Sequence, residues 1–566
     1  MNWRVRQYPP ETAGALALEL GYPDKMGRFL AARGFRDASE ARSFLDMSLR
    51  DLPGPETMPG MPEAVALLLE ARQKGATVAV SGDYDADGLT ATALLKRVLE
   101  PLGLRIITRI PNRLVEGYGL SPNAVRELHG LGATYLVTVD SGVSDVEAVL
   151  LAAQLGMKVV VTDHHQLPPE LPEAAAIVNP HLGGGWESAP LAGVGVAFML
   201  AWALRNACLK ADGRRDESGG SLVGQLALVA LGTVADLAPL RGPNRTLVHH
   251  GLNFLMACDW PGVAAMRRSL KLDAQSKISA RDVGFKLAPR LNAAGRLGSA
   301  QPALDVLTTK SPAEAERLVR ELEALNRRRY ETQSRLVDEA LDLLEMECPS
   351  DYCAVVLAQE GWPRGLLGLV ASKVAEKTGR PTVIFSIQDD LCVGSGRTAG
   401  TFDLFEALSE VRHLCLSMGG HSQAAGLRVD LGDLELFKEA FEEAAGRQSW
   451  RLGEDDLMID LVATLPDLGV LAAKLALFEP YGQGHPVPVV AMKNLKVLNA
   501  TSGRGGRVEL RLSDGLNRLN VSGFNLSSRL DEIGETMDVV VSFEPENNSY
   551  GTVWRLVDFR EPKRPE

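Results

Sequence analysis

An α/β multidomain architecture is what the sequence predicts, and three observations carry it. From Ala76 to Pro180, short β-branched runs alternate with amphipathic helical stretches. The first of those runs drives straight into an acidic segment, SGDYDADGLT, and from about Trp450 the helices give way to closely spaced strand signals. With 566 residues, 45% of them hydrophobic, the chain can bury several cores, so one fold is too few.

Residues 1–70 read as a helical segment (LALEL, MGRFLAARG, ARSFLDM) with a Pro/Gly-rich connection, DLPGPETMPGMP. Residues 71–310 hold the alternation itself: ATVAVSG, GLTATALLKRVLEPLG, LRIITRIP, SPNAVRELHGLG, TYLVTVD, DVEAVLLAAQLG, KVVVTDHH and AAIVNP. That order implies parallel strands joined by crossover helices, a doubly wound domain. Within it LVALGTVA reads as a buried helix, AGVGVAF as a helix whose glycines permit close packing, and KADGRRDESGGS as a mobile loop. Residues 311–346 form a long connector helix with NRRRYETQSR at its middle. A smaller α/β region follows over 347–447, with strands YCAVVLA, PTVIFS and CVGSGR, and residues 448–566 make a small β-barrel.

The net charge of -12 argues against broad, non-specific duplex binding, which needs clustered Lys and Arg. Six cysteines (Cys208, Cys258, Cys348, Cys353, Cys392, Cys415) show no C-x-x-C pair, as expected of reduced thiols. The opening MNWRVRQYPP has no signal-peptide core and no uncharged apolar run reaches membrane-spanning length, so the expectation is a soluble, cytoplasmic protein.

Asp83, Asp85 and Asp87 alternate along one short stretch, and their mutual repulsion is most simply relieved by a divalent cation. D-x-D-x-D-G also opens an EF-hand calcium loop, but such a loop needs a glutamate where Leu94 stands and a helix where a strand is predicted. In a doubly wound sheet ligands gather at the carboxyl ends of the strands. The run YLVTVD ends there on Asp140 and KVVVTDHH on Asp163, His164 and His165, while Asp236 follows the apolar helix. Asp85, Asp87, Asp140, His164 and Asp236 form a hard oxygen and imidazole set suited to two Mn²⁺ or Mg²⁺ ions. Two ions about 3.5–4 Å apart activate a water and stabilise a phosphoryl displacement, so phosphoester hydrolysis is the reaction class. Adjacent side chains on an extended segment point to opposite sides, so His164 is assigned to the metals and His165 to the scissile phosphate.

The ordered set SGDYDADGLTATALL, IPNRLVEGYGLS, VTVDSGVS, VTDHHQLP, LAGVGVAF, LGTVADLAPL, APRLNAAGRLG, GLLGLVASKVAEKTGRP, GSGRT, GGHSQAAG and PYGQGHPVPV resembles the DHH phosphoesterase superfamily, and within it the exonucleases specific for single-stranded DNA. The resemblance implies a DHH catalytic domain, a DHH-associated domain across a cleft and an oligonucleotide-binding barrel. It implies two-metal hydrolysis of single-stranded DNA in the 5′ to 3′ direction, in repair and recombination. It repeats the metal set above, with Asp83 supporting it and with Asp83, His164 and His165 in catalysis. It also makes Arg113, Arg290, Asn292, Arg296, Ser395, Arg397, Gly420 and His421 candidates for holding substrate. Expected partners are single-stranded DNA and a single-strand-binding protein or helicase, with no membrane and a monomeric state. Alternatives are a phosphoesterase of short oligonucleotides or cyclic dinucleotides, or a non-catalytic protein that binds DNA or a replication partner. Two residues depart from the pattern: Pro363 stands where a histidine is usual, with Arg364 beside it able to compensate, and His485 where an asparagine is usual.

Overall fold

The computed structural model describes residues 2–188, 190–214, 220–272, 277–347, 352–398, 400–448, 456–503, 506–544 and 553–562. Cys348 and the centre of the KADGRRDESGGS stretch lie outside them. The other five cysteines are free, and Cys208, Cys392 and Cys415 are buried.

Five parallel strands make the first sheet: β1 (Thr77–Gly82), β2 (Arg105–Arg109), β3 (Ala133–Val139), β4 (Lys158–Thr162) and β5 (Ala176–Val178), in the order β2-β1-β3-β4-β5. The inner runs β1, β3 and β4 are largely buried and mostly apolar because both their faces are covered, whereas the edge strand β2, RIITR, is partly exposed. Val78 and Val80 face one core and Ala79 faces another. The strand order reverses between β1 and β3, which opens a crevice at their carboxyl ends. Helices α1 (Ala86–Leu99), α2 (Gly193–Ala211) and α3 (Leu226–Ala235) stack together in the first core. By length and composition α2 could cross a membrane, yet its side chains are mostly buried among these neighbours.

The first 70 residues are shared between two cores. The helix Met61–Lys74 crosses residue 70 and packs Leu68 and Ala71 under the first sheet. Ala13, Leu16, Phe29 and Leu30 instead join Leu461, Phe478 and Val539 near the other end of the chain, where Trp3–Val5 pairs with Leu457–Ile459. An amphipathic stripe is buried wherever the fold brings an apolar surface, whatever the sequence separation.

Helix α4 (Ala288–Leu297) leads to α5 (Pro312–Glu347), whose 36 residues span about 54 Å. Leu318 and Leu322 of α5 pack into the first core, while Leu336 and Ala340 pack against Trp362 and Val370 of the next domain. There β6 (Val355–Glu360), β7 (Thr382–Gln388), β8 (Leu391–Arg397), β9 (Ser417–His421) and β10 (Ala424–Asp430) form a mixed sheet in the order β9-β10-β8-β7-β6, with α6 (Leu367–Thr378) against it. The hairpin β9–β10 was not anticipated: SMGGH and AAGLRVD carry little β-propensity, and pairing with β8 makes them strands.

The third sheet has five antiparallel strands, β11 (Val489–Gly503), β12 (Arg507–Ser513), β13 (Arg518–Gly523), β14 (Thr536–Phe543) and β15 (Trp554–Arg560), in the order β13-β12-β11-β14-β15, and the short segment Leu461–Val462 pairs in parallel with β11. Register shifts along β11 bend it. The sheet curls until β13 meets β15, so close that a Cβ on Gly523 would lie 2.6 Å from the Leu556 carbonyl oxygen.

Candidate metal centre and nucleic-acid cleft

At the end of β1 the chain turns so tightly that a Cβ on Gly88 would lie 2.5 Å from the Asp83 nitrogen. Asp85 then caps α1, accepting from the Asp87 and Gly88 amides at 3.0 and 3.1 Å. Asp87 caps a different helix. Its two carboxylate oxygens accept from Gly193 at 2.7 Å and Val194 at 2.9 Å, the first amides of α2, which has no side-chain cap of its own.

Asp140 follows β3 with a left-handed φ of 59°, a costly conformation for a residue with a Cβ and one that turns its carboxylate into the crevice. His164 Nε2 lies 3.1 Å from Asp140 Oδ1, 3.8 Å from Asp236 Oδ2 and 3.9 Å from Asp87 Oδ2. The ligand atoms of Asp87, His164 and Asp236 fall within 4.8 Å of one another, as do those of Asp83, Asp85 and Asp140. The structure therefore brings together all five residues expected to hold metal, with Asp83, expected to support them, beside them, and the ligand atoms of Asp140, His164 and His165 also fall within 4.8 Å of one another.

These donors fit divalent ions. Asp83 Oδ1, Asp140 Oδ1 and His164 Nε2 are buried with no hydrogen-bond partner, which costs free energy unless something else satisfies them. Burial first, then repulsion from Asp87 and the neighbouring carboxylates, holds Asp140 well above the usual range. Burial and Asp236 do the same to Asp87, and burial with Asp85 pushes Asp236 up to about 7. Burial and the His165 cation depress His164 to about 3, leaving a neutral imidazole. Neutral imidazole and crowded carboxylates are what a divalent cation favours.

Asp163 is no ligand in this arrangement; it organises the histidines. One of its oxygens accepts from the His164 and His165 amides at 2.7 and 3.1 Å and from His165 Nδ1 at 2.7 Å, and the other from the Val143 amide at 3.0 Å. Although burial disfavours the cation, that carboxylate raises His165 to about 9. The two histidine rings do not point to opposite sides: their centroids are 4.5 Å apart, because β4 ends at Thr162 and Asp163 turns the chain. Sequence reading missed Tyr118, whose hydroxyl donates to the Asp140 carbonyl at 3.2 Å and lies 3.2 Å from His165 Nδ1. The motif EGYG held the signal: Gly119 at φ 81° faces Asp145, which accepts from the Leu120 amide at 2.7 Å and so fixes the loop.

A cleft of about 250 Å³ separates this centre from the second domain and is lined by Tyr84, Arg113, Tyr118, Arg364, Ser395 and Arg428 among others. The Arg113 guanidinium lies 4.8 Å from the centroid of the Tyr84 ring. Arg296 is lowered to about 10 by burial and by Arg113, with Arg329 and Arg397 also close enough to repel it, so four arginines share this region. Arg397 donates to Ser395 Oγ at 3.1 Å. Three predicted substrate contacts are engaged otherwise. Arg290 donates to Glu323 of α5 at 2.7 Å, Asn292 Oδ1 accepts from the Ala86 amide at 2.7 Å and so anchors the start of α1, and His421 accepts from Gln423 at 3.2 Å on an exposed hairpin tip. Gly420 sits in that hairpin at φ 148°, where a Cβ would lie 2.3 Å from the Ala424 oxygen, so its glycine answers a backbone need.

Three family models match the chain in succession: the DHH family N-terminal domain over residues 77–233, the DHHA1 domain over 351–447 and the RecJ OB domain over 459–556. The chain is 39% identical over 455 residues to the Escherichia coli protein named single-stranded-DNA-specific exonuclease RecJ, covering 78% of this chain and 77% of that protein. The chain belongs to the RecJ family. The Bacillus subtilis RecJ is 34% identical over 93% of this chain, which spans 66% of that longer relative. The crystal structure of Thermus thermophilus RecJ in complex with Mn²⁺ matches the whole chain and 80% of its own, with a TM-score of 0.84 and 32% identity.

The two departures from the RecJ pattern take different places. Pro363 precedes the short turn Arg364–Leu366, and Arg364 beside it lines the cleft while bonding Gln388. His485 is not part of the cleft lining. Its ring stacks on Tyr481, with centroids 4.8 Å apart, and its Nε2 lies 3.1 Å from the Phe478 carbonyl.

Proposed function

We propose that this chain is a Mn²⁺- or Mg²⁺-dependent exonuclease that degrades single-stranded DNA from its 5′ end, in the cytoplasm, within DNA repair and recombination. The observation that carries it is the cluster of buried, unsatisfied donors at the switch point of the sheet, facing an arginine-lined cleft. The names of its RecJ relatives support the substrate class.

Asp83, Asp85 and Asp140 would hold one ion, and Asp87, His164 and Asp236 the other, with Asp140 close to both. When bound, such a pair supplies an activated water and neutralises the non-bridging phosphate oxygens. The chain's own groups do the rest. His165, kept cationic by Asp163 and oriented by Tyr118, stabilises charge that develops on the scissile phosphate. Arg113, Arg296 and Arg397 receive the 5′ phosphate, for which the planar guanidinium fork is suited. Arg290 and Asn292 position α5 and α1 instead. The units proposed are 1–70, 71–310, 311–346, 347–447 and 448–566, with the helix Met61–Lys74 crossing the first boundary, the chain acts as a monomer, and a single-strand-binding protein or helicase supplies the strand.

The test offers 5′-labelled and 3′-labelled single strands, duplex and a cyclic dinucleotide with Mn²⁺, Mg²⁺ or EDTA. The expected result is metal-dependent release of label from the 5′ end of single strands. Cleavage that persists in EDTA, or duplex degraded as fast as single strand, would overturn the proposal.

A further inference from the structure

We propose that the cleft holds a second anion subsite, formed by Arg364 and Arg428, that takes the outer phosphates of a strand whose 5′ end carries a triphosphate; this rests on the exonuclease reading above. Both arginines line the cleft of about 250 Å³, and neither belongs to the pocket assigned to the 5′ phosphate. Arg428 is exposed, and no carboxylate among the described residues pairs with it. Arg364 donates to the Gln388 side chain, and its Nε is buried with no acceptor.

The sheet of the second domain lays its side of the cleft out in rows. Alternate residues of a strand share a face, so Arg397, Ser395 and Val393 of β8 follow one another there. Pairing with β10, and through it with β9, sets Arg397 beside Ala424 and His421, Ser395 beside Gly426 and Gly419, and Val393 beside Arg428 and Ser417. The first row is tied to the acids, because Arg397 repels Arg296, which also feels Asp85, and Arg113 repels Arg397 in turn. The middle row is bare: a Cβ on Gly419 or Gly426 would meet nothing within 4 Å. The third row, about 7 Å further along β8 than Ser395, is cationic again. Arg364 reaches the same end of the sheet, since Gln388 closes β7 opposite Leu391. Two residues past Arg428, Asp430 turns the face negative, so the cationic stretch is short.

A strand entered at its 5′ end has no backbone beyond the terminal phosphate. Guanidinium groups placed past that pocket therefore hold nothing on a simple 5′-phosphate end, whereas two further phosphates, bonded in line with the first, reach across the bare row to them. Hydrolysis is the same with either end: water adds to the scissile phosphorus and gives up a proton, the bond to O3′ of the terminal nucleotide breaks, and O3′ takes a proton. The terminal residue leaves as a nucleoside triphosphate. The strand keeps a 5′ monophosphate, which the first pocket holds in every later round.

Arg428→Gln tests this in the full chain, since a side chain so exposed contributes little to folding. First-turnover KM with Mn²⁺ is compared on single strands of one sequence that carry a 5′ monophosphate or a 5′ triphosphate. The parent chain is expected to favour the triphosphate end by about tenfold, the scale of one hydrogen-bonded charge pair, and to release the terminal residue as the nucleoside triphosphate. Arg428→Gln should bring the ratio of the two KM values close to one, and Arg364→Gln should move it the same way. In EDTA, fluorescence anisotropy of the same labelled strands should show the same preference and its loss. A third strand, monophosphorylated and with its second linkage a neutral methylphosphonate, reports on the backbone as the other source of phosphate. Equal affinity of the parent for both ends would overturn the proposal, as would a loss on Arg428→Gln that is alike for both ends and vanishes with the methylphosphonate. Release of pyrophosphate would overturn it too, by putting the outer phosphates at the metal centre. If the parent chain cleaves neither strand, the exonuclease reading fails, and the anisotropy in EDTA still decides the subsite.

Discussion

Asp140 is buried, lacks a hydrogen-bond partner on Oδ1 and stands between the two groups of acids. Asp140→Ala is expected to lower kcat by roughly a thousandfold or more, as loss of a ligand near both ions should, while leaving the far-UV circular dichroism intact. Near-full activity would show that Asp140 is not shared. The same crowding has a cost in the metal-free protein. Asp236 is raised from 3.8 to about 7, so its contribution to stability is fully present below 3.8 and is lost as pH rises through about 7. In EDTA, Asp236→Asn is therefore expected to melt higher than the parent above about pH 7, with the gap closing towards pH 3.8, and Mn²⁺ should reverse the order. Thermal melts in both conditions check the sign. At this scale the sequence showed the acids and histidines but not their division of labour. Asp163 reads as one more strand-end carboxylate until its bonds to His165 and three backbone amides are seen.

Among the elements, the amino end of α2 does most to position the site. Its first amides hold Asp87, and the close approach has a second consequence: a Cβ on Gly193 would lie 2.6 Å from both Cβ and Oδ1 of Asp140, so the carboxylate would have to shift. Gly193→Ala is expected to keep the helix and weaken Mn²⁺ binding by at least about tenfold, the scale of loss when the supporting shell of a metal site is disturbed. Calorimetric titration measures it, and unchanged affinity would show that Asp140 moves aside at no cost. The run AGVGVAF gave no sign of this in the sequence, where its glycines suggested only helix packing. The inner parallel strands were legible because they are largely apolar, β-branched runs punctuated by helices. The β9–β10 hairpin was not, because its strand state comes from the ladder with β8.

For the whole molecule, the question is how the catalytic domain, the amino-terminal helices and the barrel end are held together, and Arg245 is the joint. It projects from the catalytic-domain helix Gly242–Ala257 and is almost fully buried. Its guanidinium donates to the carbonyls of Phe478, Pro480 and Glu479 at 2.8, 2.9 and 3.2 Å and to Phe44 at 3.3 Å, and lies 3.9 Å from the Phe44 ring centroid. Burial lowers Arg245 to about 10, which leaves it charged at neutral pH. Burial, Arg245 and Arg33 depress His485 beside it to about 3, so that ring packs as a neutral plate between Tyr481 and Phe44. Contacts between residues 44, 245 and 485 could not be read from sequence, since no local period links positions so far apart. Arg245→Ala would strand several buried carbonyls and should destabilise the junction by about 3 kcal/mol. Scanning calorimetry of the metal-free chain is expected to show the catalytic domain and the barrel end melting further apart than in the parent, with Arg245→Lys intermediate because an ammonium reaches fewer of the carbonyls. A uniform shift of all transitions would place the coupling in the other contacts across the boundary instead, such as the Leu240 amide donating to the Gln483 carbonyl.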